Sequence, residues 1–81
     1  MSADQVLQIV AETAGDTLGV AAGGLDVDAD LESLGIDELV EVEMIIDLEE
    51  QMSMKIPNED LGRMGSLRGL ADYLDKRMKK N

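Results

Sequence analysis

The sequence predicts an all-α fold, a four-helix bundle with three main helices and one short one. Three observations carry that expectation. Apolar residues recur at helical spacing in three separate segments, and polar residues suited to capping precede those segments. No stretch of useful length alternates in the manner of a strand, and no internal repeat is present. The 81 residues are expected to form a single domain spanning 1–81, a size at which one core is only marginally stabilising.

Helical spacing begins at Asp4, with Val6, Ile9 and Val10 and then Leu7, Val10 and Ala14 on shared faces, and predicts a helix to about Ala14. Ser2 or Asp4 can cap its start. Glycines at 15, 19, 23 and 24 are expected to end it and to open a long connection. Leu18, Val20, Leu25, Val27, Leu31 and Leu34 are spread through that connection and are expected to pin it over the core. Asp37 then caps a second helix running to about Met52. Pro57 suits the first turn of a short helical segment over 57–61, broken by Gly62 and Gly65. Ser66 caps the last helix, whose apolar set is Leu67, Leu70, Ala71, Leu74 and Met78. That helix ends in Lys76, Arg77, Lys79 and Lys80, cations placed as the helix dipole favours.

Composition excludes several classes of function. There is no Cys to form a disulfide or a thiolate metal site, and no His to act as general base, ligand or pH switch. No apolar stretch approaches the length of a membrane span, and no basic-then-apolar leader is visible, so a cytoplasmic protein is expected. Net charge is −11, and residues 1–54 hold 14 of the 18 acids without a single Lys or Arg. Such a field repels phosphate backbones and anionic lipid, and attracts basic protein surfaces. With one Tyr and no Phe or Trp, a stacking platform for single-stranded nucleic acid is also missing. Nucleic-acid binding and membrane insertion are excluded on these grounds, and a monomer is expected.

The second helix carries the charge. At about 100° per residue, Glu43, Asp47 and Glu50 share one narrow face. Leu39, Val42, Ile45 and Ile46 are expected to turn inward, with Glu38, Glu41 and Glu49 widening the acidic surface at the edges. Like charges at i, i+4 destabilise a helix by a few tenths of a kcal/mol per pair, so a helix shaped for stability alone would interleave Lys. The complete lack of basic residues through residue 54 favours a docking face over a merely solvated one.

Leu31-Glu32-Ser33-Leu34-Gly35-Ile36-Asp37, then Leu39, Val42-Glu43, Leu48-Glu49-Glu50, Ile56-Pro57, Glu59-Asp60 and Tyr73-Leu74 together resemble the acyl carrier protein family in its stand-alone style. The resemblance covers nearly the whole chain. It implies a bundle whose second helix starts at the residue that bears 4'-phosphopantetheine and docks on enzymes of fatty-acid or polyketide synthesis. By it, Asp37, Glu38, Leu39, Glu43, Asp47, Glu49 and Glu50 are partner-docking residues. The family's acyl chain lies in an apolar interior, for which Val42, Ile45, Ile46, Met52, Ile56, Met64 and Leu70 are the matching positions. Plain core packing explains each of those seven equally well.

The departures bear on function. Glu38 stands where the family has its attachment Ser, Val40 where an acid is common, and Met52 where many members have Phe. Gly62, Gly65 and Gly69 are expected to loosen the third-helix region and the start of the last helix. A hydroxyl can form the phosphodiester to the arm, and a carboxylate cannot, so no cofactor is expected on the chain as written. Ser33 lies early in the loop, Ser66 is explained as a cap, and Ser2 and Ser53 have no motif around them. Two explanations of Glu38 stay open: a carrier-like paralogue that docks without being loaded, or an ordinary carrier in which the Ser has been substituted. A third reading is an acidic adaptor outside lipid metabolism.

Asp26-Val27-Asp28-Ala29-Asp30 begins like a calcium loop. The positions that need Gly and a bidentate Glu are Leu31 and Asp37, so no specific metal site is expected. Catalysis has no support either, since the chain lacks a nucleophile–base pair and a phosphate-cradling glycine loop. The expectation is a non-enzymatic domain.

Overall fold

The computed structural model describes residues 1–79, apart from the side chain of Asn58. Among these residues the fold has three α-helices: α1 (Ala3–Leu18), α2 (Glu38–Met52) and α3 (Leu67–Lys79). Among the described residues there is no strand. The expected short helix over 57–61 is a single 3-10 turn, Asn58–Asp60, closed by the Asp60 amide donating to the Pro57 carbonyl at 3.0 Å. Two further 3-10 turns, Ala22–Gly24 and Leu31–Leu34, punctuate the long connection.

Ser2 starts α1 through a capping box. Its hydroxyl accepts from the Gln5 amide at 3.2 Å, and the Gln5 side chain accepts from the Ser2 amide at 2.8 Å, so two otherwise orphaned donors are satisfied. Val6, Val10 and Ala14 form its buried stripe. The helix does not stop at Ala14, because Gly15 is helical and acts as a close-approach residue. A Cβ there would sit 2.7 Å from the Val20 carbonyl oxygen, so only Gly lets the chain fold back over this turn. Gly19 ends the helix instead, in the left-handed region at φ 75°.

The connection to α2 is anchored as its apolar residues suggest, with one exception. Leu31 and Ile36 are buried, and Leu18, Leu25, Val27 and Leu34 pack against the core, but Val20 is exposed. Two backbone bonds tie this connection to the start of α3. The Leu31 amide donates to the Gly65 carbonyl at 3.1 Å, and the Arg68 amide to the Val27 carbonyl at 2.9 Å. An exposed Arg68–Asp28 ion pair lies beside them.

Ser66 caps α3, its hydroxyl accepting from the Gly69 amide at 3.0 Å. Leu67, Leu70, Ala71 and Leu74 are buried, Met78 packs at their edge, and Lys76, Arg77 and Lys79 occupy the last turn as the dipole favours. Lys80, expected to join them, lies outside the described residues. Helix α3 packs along α1, and α2 closes the other side. The core that results joins Val6 and Val10 to Met44, Ile45 and Leu48 of α2 and to Leu67, Leu70 and Leu74 of α3. Burying each large apolar side chain contributes about 1.5–3 kcal/mol.

Helix α2 is rotated from the expected facing. Glu41, Met44, Ile45 and Leu48, at the spacing i, i+3, i+4, i+7, are its buried residues. Leu39 is 69% exposed, Ile46 55% and Val42 37%, so of the four apolar residues expected inside, only Ile45 is there. The buried face lies roughly a third of a turn away from the expected one. Apolar residues occur almost all round this helix, and its partners α1 and α3, rather than its own pattern, choose which of them are covered.

Candidate functional site

The first turn of α2 is held in place by Asp37. Its carboxylate accepts from the Val40 amide at 2.9 Å, with Asp37 itself extended at φ −84°. Gly35, at φ 82°, turns the chain into this cap, and buried Ile36 anchors the approach. Glu38 is therefore the first helical residue, exposed, at the end where exposed backbone N–H groups favour a negative charge.

Beyond Glu38 the acids of α2 divide by partner. Glu43, Asp47 and Glu50 are exposed. Among the described residues Asp47 accepts only from the Gln51 amide group of its own helix, at 3.3 Å. Glu49 is different: its Oε2 accepts from the Ile56 amide at 2.7 Å, which staples the chain after α2 back onto the helix. A charge-assisted bond of this kind is stronger than a neutral one. Glu41, expected on the acidic surface, is 8% exposed, and its Oε2 accepts from the Gly62 amide at 3.3 Å. The exposed acids are interleaved with exposed Leu39, Val42 and Ile46, giving a face of apolar patches rimmed by carboxylates.

Between the start of α2 and residues 61–65 lies a cleft of about 1100 Å³. Leu31, Ile36, Val42 and Leu61 supply its apolar wall, and Asp30, Glu32, Asp37, Glu38 and Glu41 its carboxylates. The seven positions matched to an acyl pocket do not meet in it. Val42 lines the cleft, Ile46 faces a shallow depression with Glu49 and Met54, and Met64 another with Tyr73. Ile45, Ile56 and Leu70 are packed in the core, with Met52 partly buried against it. Glu41, Ile36, Leu61 and Gly62 were not expected at the site. Glu41 was legible in principle, since it follows Glu38 by one turn, but its burial depends on where residues 61–65 cross α2.

Among the described residues no group of acids is placed to hold a metal ion, and no helix is long and apolar enough to cross a membrane.

Comparison with known proteins gives this geometry its context. The family described as "Phosphopantetheine attachment site" matches residues 5–74. The chain is 33% identical over 75 residues to an acyl carrier protein of Rubrobacter xylanophilus, covering 91% of this chain and 93% of that protein. It is 32% identical over 65 residues to an acyl carrier protein of Bdellovibrio bacteriovorus, covering 79% and 83%. It is also 34% identical over 71 residues to the non-reducing polyketide synthase ausA of Aspergillus calidoustus, covering 88% of this chain but only 3% of the synthase's length. A match across the capped α2, the core positions of all three helices and the connections between them places the chain in the phosphopantetheine-attachment-site family, as an acyl-carrier-type domain and not an enzyme.

Proposed function

We propose that this chain is an acyl-carrier-like domain of fatty-acid or polyketide synthesis that docks on partner enzymes through α2 but takes no phosphopantetheine at the family's attachment position. The observation that carries the reading is Glu38 itself. It is the exposed first residue of α2, where the family attaches its arm to a serine, and it ends in a carboxylate. The residues present do not fit the group, because the phosphodiester needs a hydroxyl. The serines elsewhere are otherwise engaged or displaced. Ser2 and Ser66 cap helices through their hydroxyls, Ser53 ends α2 at φ 54°, and Ser33 sits in the Leu31–Leu34 turn. Docking is supported by the face that pairs exposed Leu39, Val42 and Ile46 with Glu43, Asp47 and Glu50, and its complement is a basic enzyme surface with apolar contacts. We place the domain, as one unit and as a monomer, in the cytoplasm.

The experiment is loading. Incubation with coenzyme A and a phosphopantetheinyl transferase leaves the intact mass of this chain unchanged, whereas Glu38→Ser gains the mass of one arm. Loading of the unaltered chain would overturn the reading. Efficient loading of Glu38→Ser is also the result expected of a carrier whose serine has been replaced, since the cap at Asp37 and the approach through Gly35 and Ile36 are intact.

A further inference from the structure

Thioether sulfur is the most readily oxidised group in this chain, which has six Met and no Cys, His or Trp. The fold grades access to it. Met44 is 0% exposed in the core, Met52 and Met78 pack at the core's edge, and Met54 and Met64 reach surface depressions. Met1 is 69% exposed, ahead of α1 and outside the core. The two depressions differ in what they offer a more polar sulfur. The one at Met54 sets Glu49 and Glu50 against the single cation Lys55. The one at Met64 is lined by Arg63 and Lys76, with Asp60, Asp72 and Tyr73. Asp60 accepts from the Tyr73 hydroxyl, and neither Arg63 nor Lys76 forms an ion pair among the described residues. A sulfoxide oxygen accepts hydrogen bonds and donates none, so carboxylates repel it while guanidinium and ammonium groups supply its donors.

We propose that Met64 is a reversible oxidation site, converted by hydrogen peroxide to a methionine sulfoxide that Arg63 and Lys76 hold at the surface. In the step, the Met64 sulfur attacks one peroxide oxygen, the S–O bond forms as the O–O bond breaks, and the sulfur loses two electrons. The departing hydroxide takes the proton of the transferred oxygen and leaves as water. Before oxidation the thioether packs against the core, beside the Tyr73–Asp60 bond that ties the Asn58–Asp60 turn to α3. A polar oxygen on that sulfur exchanges the apolar contact for solvent and the two cations. The modification therefore loosens the segment ahead of α3 and leaves the bundle folded, since the sulfur at its centre, on Met44, is sealed. The site does not rest on the docking reading above, so either can fail without the other.

The test treats the whole folded chain with limiting hydrogen peroxide and follows it by peptide mass spectrometry and by NMR of the Tyr73 ring, the one aromatic ring present. Met64 is expected to oxidise at least about tenfold faster than Met44, and faster than Met52, Met54 and Met78. The Tyr73 signals should shift on oxidation of the parent, and methionine sulfoxide reductases A and B should restore them. They should stay in place when Met64→Leu, a volume-conserving change, is treated alike, although its Met1 still oxidises. Met64→Gln, with a polar group at like length, should shift them without peroxide. Arg63→Gln with Lys76→Gln, at two exposed positions, tests the donors: oxidation should lower its melting temperature more than it lowers that of the parent. Oxidation of Met64 no faster than that of Met44 overturns the site, and so does the same Tyr73 shift in oxidised Met64→Leu. An equal fall in melting temperature overturns the part given to Arg63 and Lys76.

Discussion

Tyr73 is the one aromatic side chain of the protein, and its surroundings make it titrate abnormally. Its hydroxyl donates to Asp60 Oδ2 at 2.5 Å, and the Arg77 guanidinium lies 5.6 Å from the ring centre. Burial pushes the phenol above its ordinary value of 10.0, and the bond to Asp60 pushes in the same direction, against the opposing Arg77 charge. The native chain therefore keeps a proton that the unfolded chain releases. The stabilisation is complete below pH 10.0 and is lost as pH climbs through the raised value. Tyr73→Phe should be less stable than the parent by about 1 kcal/mol at neutral pH. Denaturation followed from pH 7 to 11 should show the gap closing above pH 10, and a constant gap would disprove the assignment. Glu41, Glu49 and Glu50 make the complementary point. One residue type caps an amide in a cleft, staples a loop, or stands in solvent, according to which backbone N–H comes within reach.

At the scale of the element, α3 depends on a glycine that its helical pattern argues against. Replacing a mid-helix Gly by Ala ordinarily stabilises by up to about 1 kcal/mol. At Gly69 a Cβ would fall 2.1 Å from the Met64 carbonyl oxygen, a backbone atom held by the turn at Gly65. The residue expected to loosen this region instead lets the preceding loop close tightly on α3. Gly69→Ala should therefore destabilise by about 1–3 kcal/mol in urea denaturation, and a stabilised variant would show that the loop yields freely. Helix α2 makes a prediction of its own. Glu43 and Asp47 are exposed and form no salt bridge among the described residues, so Glu43→Lys with Asp47→Lys should preserve helical circular dichroism. It should weaken binding to carrier-dependent enzymes at least about tenfold, through lost attraction and new repulsion. Unchanged affinity, measured by surface plasmon resonance at low salt, would return these acids to a solvated face.

Across the whole molecule the net charge of −11 acts against compactness, and the 14 acids before residue 55 concentrate the repulsion in α1, α2 and the connection between them. Screening beyond a Debye length of about 10 Å at 0.1 M salt should relieve it. The melting temperature is therefore expected to rise between low and moderate sodium chloride. A fall would mean that the Arg68–Asp28 and Lys79–Asp75 pairs outweigh the repulsion. Much of this organisation was legible in the chain. Capping residues and helical spacing marked α2 and α3 closely, because caps and periodicity act over three or four residues and need no distant partner. The same local logic placed α1 but ended it early, since Gly15 reads as a stop until the return of the chain at Val20 and Ala22 shows why it must lack a side chain. A helix with apolar residues on nearly every side has no intrinsic inside, so the facing of α2 was decided by its packing against α1 and α3. That choice put Leu39, Val42 and Ile46 in water and Glu41 in the cleft. The sequence by itself determined three capped helices, the acidic field and a carboxylate at the start of α2, all properties of neighbours along the chain. Which carboxylates face solvent and which one is buried was decided only by the tertiary structure, because burial is set by chain segments far apart in sequence.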